Sequence, residues 1–319
     1  MTRKRLAIYA WAVLGFNLLV VLWGAYVRAS GSGAGCGRHW PLCNGTVVPN
    51  TGRVATLIEF THRASSGAAL VAVVLLLFWA WRAYPRGHRV RRGATAAMGF
   101  MILEALLGAG LVLFGLVAED QSAFRAFSMA AHLINTFLLI GSITLTAWWA
   151  SGGVDVRLRR QGMIGALLLI GIVAMLALGA SGSIAALGDT LFPARSLAQG
   201  LQQDFDPTSH FLLRLRVYHP VLAIGTGLYL VVVARLAARL RPGAATRRLA
   251  WALTAVVLTQ ILVGVVNIAL LAPVPVQLIH LLLADLLWIS LVLLAGSALA
   301  APAGTAVDTP RGDGILVVK

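Results

Sequence analysis

Gly24-Ala-Tyr-Val-Arg-Ala-Ser-Gly-Ser-Gly33 closes one long apolar run, and a shortened echo of it, Gly179-Ala-Ser-Gly-Ser183, closes another. Between and beyond these stretches the pattern continues. Glu104-Ala-Leu-Leu-Gly108 is matched by Gln260-Ile-Leu-Val-Gly264; His62 and His219 each open an apolar run, as do His132 and His280. Self-similarity at this scale is the mark of a duplicated architecture, and it governs the reading of everything else in the chain.

The runs themselves lie near 6–27, 58–81, 94–117, 126–150, 163–186, 216–236, 248–272 and 275–299. Each is long enough to cross a hydrocarbon layer about 30 Å thick as a helix. Of the 319 residues, 59% are hydrophobic and 12% charged, and the mean hydropathy is +0.85. So little charge cannot cover a soluble surface of this size, which makes the lipid bilayer the solvent. The net charge of +15 would suggest nucleic acid in a soluble protein. Here it reports sidedness, and no nucleic-acid partner is expected.

Arg82, Arg86, Arg89, Arg91 and Arg92 crowd one short connection, Arg157, Arg159 and Arg160 a second, and Arg235, Arg239, Arg241, Arg247 and Arg248 flank a third. With Arg3, Lys4, Arg5, Arg311 and Lys319 these are most of the 26 basic residues. The positive-inside bias puts them all in the cytoplasm, with both termini, and the 28–57 and 187–211 loops outside. The first run, Leu6 to Val27, exceeds the about 7–15 residues of a signal-peptide core, so it reads as an uncleaved helix of a multi-pass protein in the cell membrane. Four spans per half is an even number, so both halves enter the membrane with the same orientation. The expected fold is all-α: eight transmembrane helices as two repeat-related four-helix bundles, parallel about an axis along the membrane normal. The divisions fall at 1–155 and 156–302, with a cytoplasmic tail at 303–319.

His62, His132, His219 and His280 stand near the outer ends of the even-numbered spans, one pair per half. A single intramembrane histidine is ordinarily a hydrogen-bonded core residue. Four at repeat-related positions point to a common ligand, because polar groups at such depth are costly. Paired neutral imidazoles from facing helices suit an iron porphyrin in an apolar slot. They suit zinc poorly, since each pair lacks third and fourth ligands. Proton relay and structural hydrogen bonding are the competing readings.

Glu59 precedes His62 by three residues, on the same helical face. It reads either as an interfacial carboxylate paired with Arg63 or Arg53, or as a carboxylate aimed at whatever His62 holds. Arg63, Arg214 and Arg216 flank the outer histidines and match carboxylate geometry, as would suit porphyrin propionates; interfacial anchoring explains them as well. Glu104 and Asp285 lie deeper, as candidates for interhelical hydrogen bonds. Cys36 and Cys43 share the first external loop, within Gly35-Cys-Gly-Arg-His-Trp-Pro-Leu-Cys-Asn-Gly45. A disulfide is reasonable there in an oxidising compartment, and His39 between them offers a weaker metal alternative. His39, His88 and His210 have no repeat-related partner and no assigned role.

Gly24-Ala-Tyr-Val-Arg28, the loop from Cys36 through Trp40-Pro-Leu-Cys-Asn-Gly45, and Ile58-Glu-Phe-Thr-His-Arg63 together resemble the haem A synthase family, the subtype with cysteines in its first external loop. The resemblance runs from about residue 6 to 300. It implies oxidation of the C8 methyl of haem O to a formyl group by two successive hydroxylations. By position it implies that His62 and His132 hold the substrate haem O and Glu59 is the catalytic carboxylate. It likewise places resident haem b iron between His219 and His280, and makes a haem O-forming prenyltransferase the expected partner. The second half of the chain has no cysteines, so any function that relatives give to a second pair is missing.

An iron with two axial histidines has no open position. Either a ligand is released, or the methyl is oxidised by electron withdrawal and captured by water, with Glu59 stabilising positive charge or taking a proton. A b-type electron-transfer cytochrome would share the paired histidines without a reason for Glu59. A pseudo-symmetric transporter would share the repeat without a reason for the histidines.

Overall fold

A computed structural model of the chain describes residues 3–50, 52–157 and 161–300. The expected tail at 303–319, and with it Arg311 and Lys319, lies outside the described residues, as do Arg159 and Arg160. Among the described residues the structure is helical, with ten α-helices and two isolated bridge pairs in place of strands. These are α1 (Arg3–Ala29), α2 (Val54–Ala83), α3 (Arg89–Leu113), α4 (Ala123–Ala150), α5 (Gly162–Leu191), α6 (Leu197–Phe205), α7 (Phe211–Arg216), α8 (Tyr218–Leu240), α9 (Ala244–Ala269) and α10 (Val274–Ala298). With α7 and α8 forming one span, Phe211–Leu240, there are eight helices long and apolar enough to cross a membrane. The protein is a multi-pass membrane protein.

The outward faces carry Leu19, Phe78, Leu106, Ile170, Leu228 and Leu258 exposed. In water that surface would be untenable; against acyl chains it costs nothing. The core is built from smaller contacts, including Ala10, Ala80, Ala94, Ala234 and Ala250, which let helix backbones approach closely. Within the first half α1 packs on α2, α2 on α3, α3 on α4 and α4 back on α1; in the second, α5, α8, α9 and α10 form the corresponding ring. A tyrosine ties the first two spans of each half, Tyr9 Oη donating to Ala72 O (3.0 Å) and Tyr229 Oη to Leu167 O (2.8 Å).

The halves meet where α4 packs against α5 and α10, and α1 against α10. Trp288 and Phe137 stack across this seam with centroids 5.3 Å apart, and the indole N–H donates to Phe137 O at 2.6 Å. Gly141 leaves the space the indole occupies. Further out, half-buried Arg28 crosses the seam, donating to Ala186 O and Thr190 Oγ1 of α5 and to Gln277 Oε1 of α10.

Two helices end short of their expected limits. α3 stops at Leu113 instead of 117 because Gly115 takes φ +70°, and the Leu116 N–H turns back to Leu111 O at 2.8 Å. This is a glycine C-cap of Schellman type. α9 stops at Ala269 instead of 272, with Leu271 and Ala272 both at positive φ. The expected 187–211 loop is not wholly a loop: α5 runs on to Leu191, and α6 lies within it. Ser196 caps α6, its Oγ accepting from Gln199 N–H (3.2 Å), while Gln199 Oε1 accepts from Arg195 N–H (2.8 Å).

Candidate functional site

Because spans alternate in direction, the starts of α2, α4, α8 and α10 all lie at one face of the bundle, the face that bears the Cys loop. His62, His132, His219 and His280 sit in the early turns of those helices and line one continuous cavity of about 990 Å³, together with Glu59. That volume is at the upper end of the about 300–1,000 Å³ usual for small-molecule sites. Residues of both halves form its walls, and Trp40 and Pro41 of the Cys loop and Leu201 of α6 reach it from outside.

Each histidine ring rests against a glycine of the preceding span. A Cβ on Gly24 would meet His62 Cε1 at 2.8 Å, one on Gly182 would meet His219 Cε1 at 3.0 Å, and one on Gly264 would meet His280 Cε1 at 3.1 Å; Gly108 lies 3.9 Å from the His132 ring by the same measure. The Gly108/Gly264 match in the sequence is thus a match in space. The other echo shifts by a helical step: the glycine facing His219 is Gly182, not Gly179, which instead admits the Phe137 ring at the seam.

The rings are held differently. Ser181 Oγ donates to Leu178 O (2.8 Å) and lies 3.0 Å from His219 Nδ1. A hydroxyl so placed can accept Nδ1–H, the tautomer that leaves the Nε2 lone pair free. Gln260 Nε2 stands 3.3 Å from His280 Nε2. His132 Nδ1 stands 3.4 Å from Glu104 Oε1, and the Nδ1 atoms of His62, His132 and His280 are all buried without a hydrogen-bond partner. Glu104 accepts from Asn135 Nδ2 and Thr136 Oγ1, both at 2.5 Å, so the expected interhelical bonding holds for it. It does not hold for Asp285, which is fully buried with neither oxygen bonded.

Glu59 is 3% exposed. Arg63 grips Oε1 through Nη2 (2.5 Å) and Nε (3.1 Å), and Cys36 N–H donates to Oε2 at 2.7 Å. Glu59 thus pairs with Arg63 and lines the same cavity as His62. Arg63 Nη1 also donates to His39 O and Leu42 O, tying α2 to the Cys loop. The loop lies tightly on α2. Cys36 and Cys43 are disulfide-bonded and buried, Thr56 Oγ1 donates to Gly35 O (2.7 Å), and any side chain at residue 35 would collide with the Ala55 carbonyl.

Arg216 is also taken up by carboxylates of the chain, Asp189 (2.7 Å) on α5 and Asp204 (2.6 Å) on α6. The side chains of His88 and His210 accept from Val90 N–H and Leu212 N–H, capping α3 and α7. Arg28, Arg125, Gln260 and Ser181 were not singled out from the sequence. A lone polar residue in an apolar run carries no signal of its own, although the Glu104/Gln260 correspondence was visible.

The histidine geometry suits a haem. Two imidazoles on opposite sides of one iron, at metal–nitrogen distances of about 2 Å, place ring centroids about 6 Å apart. His219 and His280 have centroids 6.4 Å apart, with planes at 86°.

A family model described as cytochrome oxidase assembly protein, COX15-CtaA, matches residues 7–292. A Thermus thermophilus protein named protoheme IX farnesyltransferase is 54% identical over 296 residues, which is 93% of this chain and 49% of that one. A heme A synthase of Alkalihalophilus pseudofirmus is 38% identical over 138 residues, 42% of this chain and 46% of its own. One of Geobacillus kaustophilus is 39% identical over 145 residues, 44% and 45% respectively. The chain spans about half the length of the relatives it matches.

Proposed function

The chain belongs to the COX15-CtaA family of cytochrome oxidase assembly proteins, and on that premise we propose that it acts as a haem A synthase, converting the C8 methyl of haem O to a formyl group by two successive hydroxylations. The observation that carries the reading is the set of four histidines facing one cavity, with His219 and His280 spaced to ligate a single iron. The similarity to the heme A synthases of Alkalihalophilus pseudofirmus and Geobacillus kaustophilus supports it.

In this reading residues 1–155 form the substrate half and 156–302 the haem b half. His62 and His132 hold the iron of haem O. Resident haem b, bound by His219 and His280, would supply a one-electron relay. Glu59 is fixed at the cavity wall by Arg63 and Cys36 N–H. Arg63 takes both lone pairs of Oε1, while Oε2, with one bond from Cys36 N–H, keeps a lone pair for a further bond, which suits it to stabilise positive charge developing on the porphyrin and to orient the water that captures the oxidised methyl. Arg63 and Arg216 already have carboxylate partners, so they position the loop and α6 around the cavity more than they read propionates.

The protein is placed in the cell membrane with both termini cytoplasmic and the histidine face outside, following the basic connections. The Thermus relative joins a segment like this chain to as much sequence again under the name of a farnesyltransferase. A haem O-forming prenyltransferase is therefore the partner we assign.

The test is pigment analysis after co-expression with such a prenyltransferase in a host that makes no haem A. Haem A is expected. Haem b in the purified protein with no haem A formed would favour the electron-transfer cytochrome, and haem O formed without the prenyltransferase would assign the chain the relative's named activity instead.

A further inference from the structure

Glu104 and Gln260 occupy the same position in the two halves, on the third span of each, one turn before Gly108 and Gly264. Residues at this spacing share a helix face. Each pair meets one histidine of the following span, the glycine beneath the ring and the polar side chain against a ring nitrogen: Glu104 Oε1 to His132 Nδ1 at 3.4 Å, Gln260 Nε2 to His280 Nε2 at 3.3 Å. Neither contact is needed to satisfy the helix backbone. We propose that Glu104 is a positioning residue that fixes the ring orientation of His132 for iron, and that its carboxylate makes His132 the more firmly held and more strongly donating ligand of its half.

Histidines that ligate metal through one nitrogen usually donate the other N–H to an oxygen, which sets tautomer and ring plane and raises ligand basicity. Glu104 is built for this use. Its two oxygens are steadied by Asn135 and Thr136 from the helix that carries His132, so carboxylate and imidazole move as one body. A small turn of the ring brings Nδ1–H onto Oε1 and presents Nε2 to the cavity. In the second half an amide stands in for the carboxylate, and its nitrogen faces His280 Nε2 as a donor, so it does not take an imidazole N–H as Glu104 can. Neither Nδ1 of the first half makes a hydrogen bond in the structure, but His132 Nδ1 has the Glu104 carboxylate at 3.4 Å, whereas the His62 ring rests against Gly24. The first half thus has one ligand backed by a carboxylate and one unbacked, and the unbacked one is the easier to release. This rests on the reading that the four histidines hold haem iron.

Purified protein carrying its resident haem b is titrated with ferric protohaem, and the second site is followed by difference absorbance and by the low-spin EPR signal. Glu104→Leu is expected to weaken protohaem binding by about 10–100-fold, the scale found when such outer partners are removed. Glu104→Gln, which installs the residue the other half uses, restores binding to within a few-fold while the EPR g-values move away from those of the wild type. Were Glu104 only a tie between α3 and α4, the substitutions would lower thermal stability and leave affinity and g-values alone, which overturns the proposal. Wild-type protein that binds no haem in either half overturns the reading of the histidines, and this proposal with it.

Discussion

The backbone N–H of Cys36 donates to Glu59 Oε2 across 2.7 Å, so the disulfide-closed loop and the carboxylate on α2 form one unit. Glu59→Gln keeps the shape and removes the charge. Haem b content is expected to survive, since the proposed function assigns that haem to the other half, while haem A formed per haem b falls by about 10²-fold or more, the scale for losing a positioned acid–base group. If Glu59 serves only Arg63, expression drops and that ratio stays as in the wild type.

Removing the bridge acts on the same unit from the other side. Cys36→Ser with Cys43→Ser frees the loop that Arg63 and Thr56 otherwise hold on α2. Turnover is expected to fall several-fold with haem b unchanged. In wild-type protein alkylated without reductant, mass analysis should find neither cysteine modified; stoichiometric zinc with two free thiols would contradict this.

The glycines beneath the histidines separate the two halves by experiment. Gly264→Val drives a side chain into the space of His280, and Gly182→Val into that of His219, so both should strip haem b as His219→Ala or His280→Ala would. Gly24→Val displaces His62 instead, and should abolish haem A formation with the haem b spectrum intact. Loss of haem b from the Gly24 variant would contradict the division of labour.

Arg216 clamps α6 to the bundle through Asp204 and Asp189. The three side chains are 14–23% exposed, so breaking the clamp should cost less than the about 3–5 kcal/mol of a fully buried pair. Arg216→Met is expected to lose about 1–3 kcal/mol, measured as detergent-solubilised thermal unfolding. Asp204→Asn, which leaves the Asp189 bond, should lose less.

Reporter fusions after residues 45 and 155 should register on opposite sides of the membrane. Activity on the same side at both positions would refute the orientation drawn from Arg82, Arg86, Arg91 and their counterparts.

Much of this fold was legible because apolar length is additive along a chain and the bilayer reads it directly. The spans from α1 to α10 appear where the hydropathy puts them. The ends of α3 and α9 were missed because hydropathy does not register positive φ; Leu116 and Val117 are apolar residues that follow a C-cap. α6 was missed because nine residues cannot span, although Ser196-Leu-Ala-Gln199 is a capping pattern and Leu197, Leu201 and Phe205 recur at helical spacing. For the site, the repeat located the histidines, and the three-residue spacing before His62 picked out Glu59. It could not give their partners, since whether Arg63 turns to Glu59 or to a ligand depends on the fold of the Cys loop. The shift of the glycine echo from Gly179 to Gly182 has the same origin, because similarity in letters does not fix which helical turn meets the ring.

The stack of Trp288 on Phe137 has no twin. Counting from His280 and His132, the counterpart of Phe137 is Asp285 and that of Trp288 is Ile140. An ancestral homodimer would have joined its subunits through one self-complementary patch, each contact made twice. In the present chain the contact is made once, by an indole on one side and a carbonyl and ring on the other. Two copies of the first half would have no indole at the place of Trp288 to donate to Phe137 O, and two copies of the second would have no Phe137 ring for Trp288 to cover. The duplication has passed the point of return: the halves have become a lock and a key, and neither can be swapped for a second copy of the other.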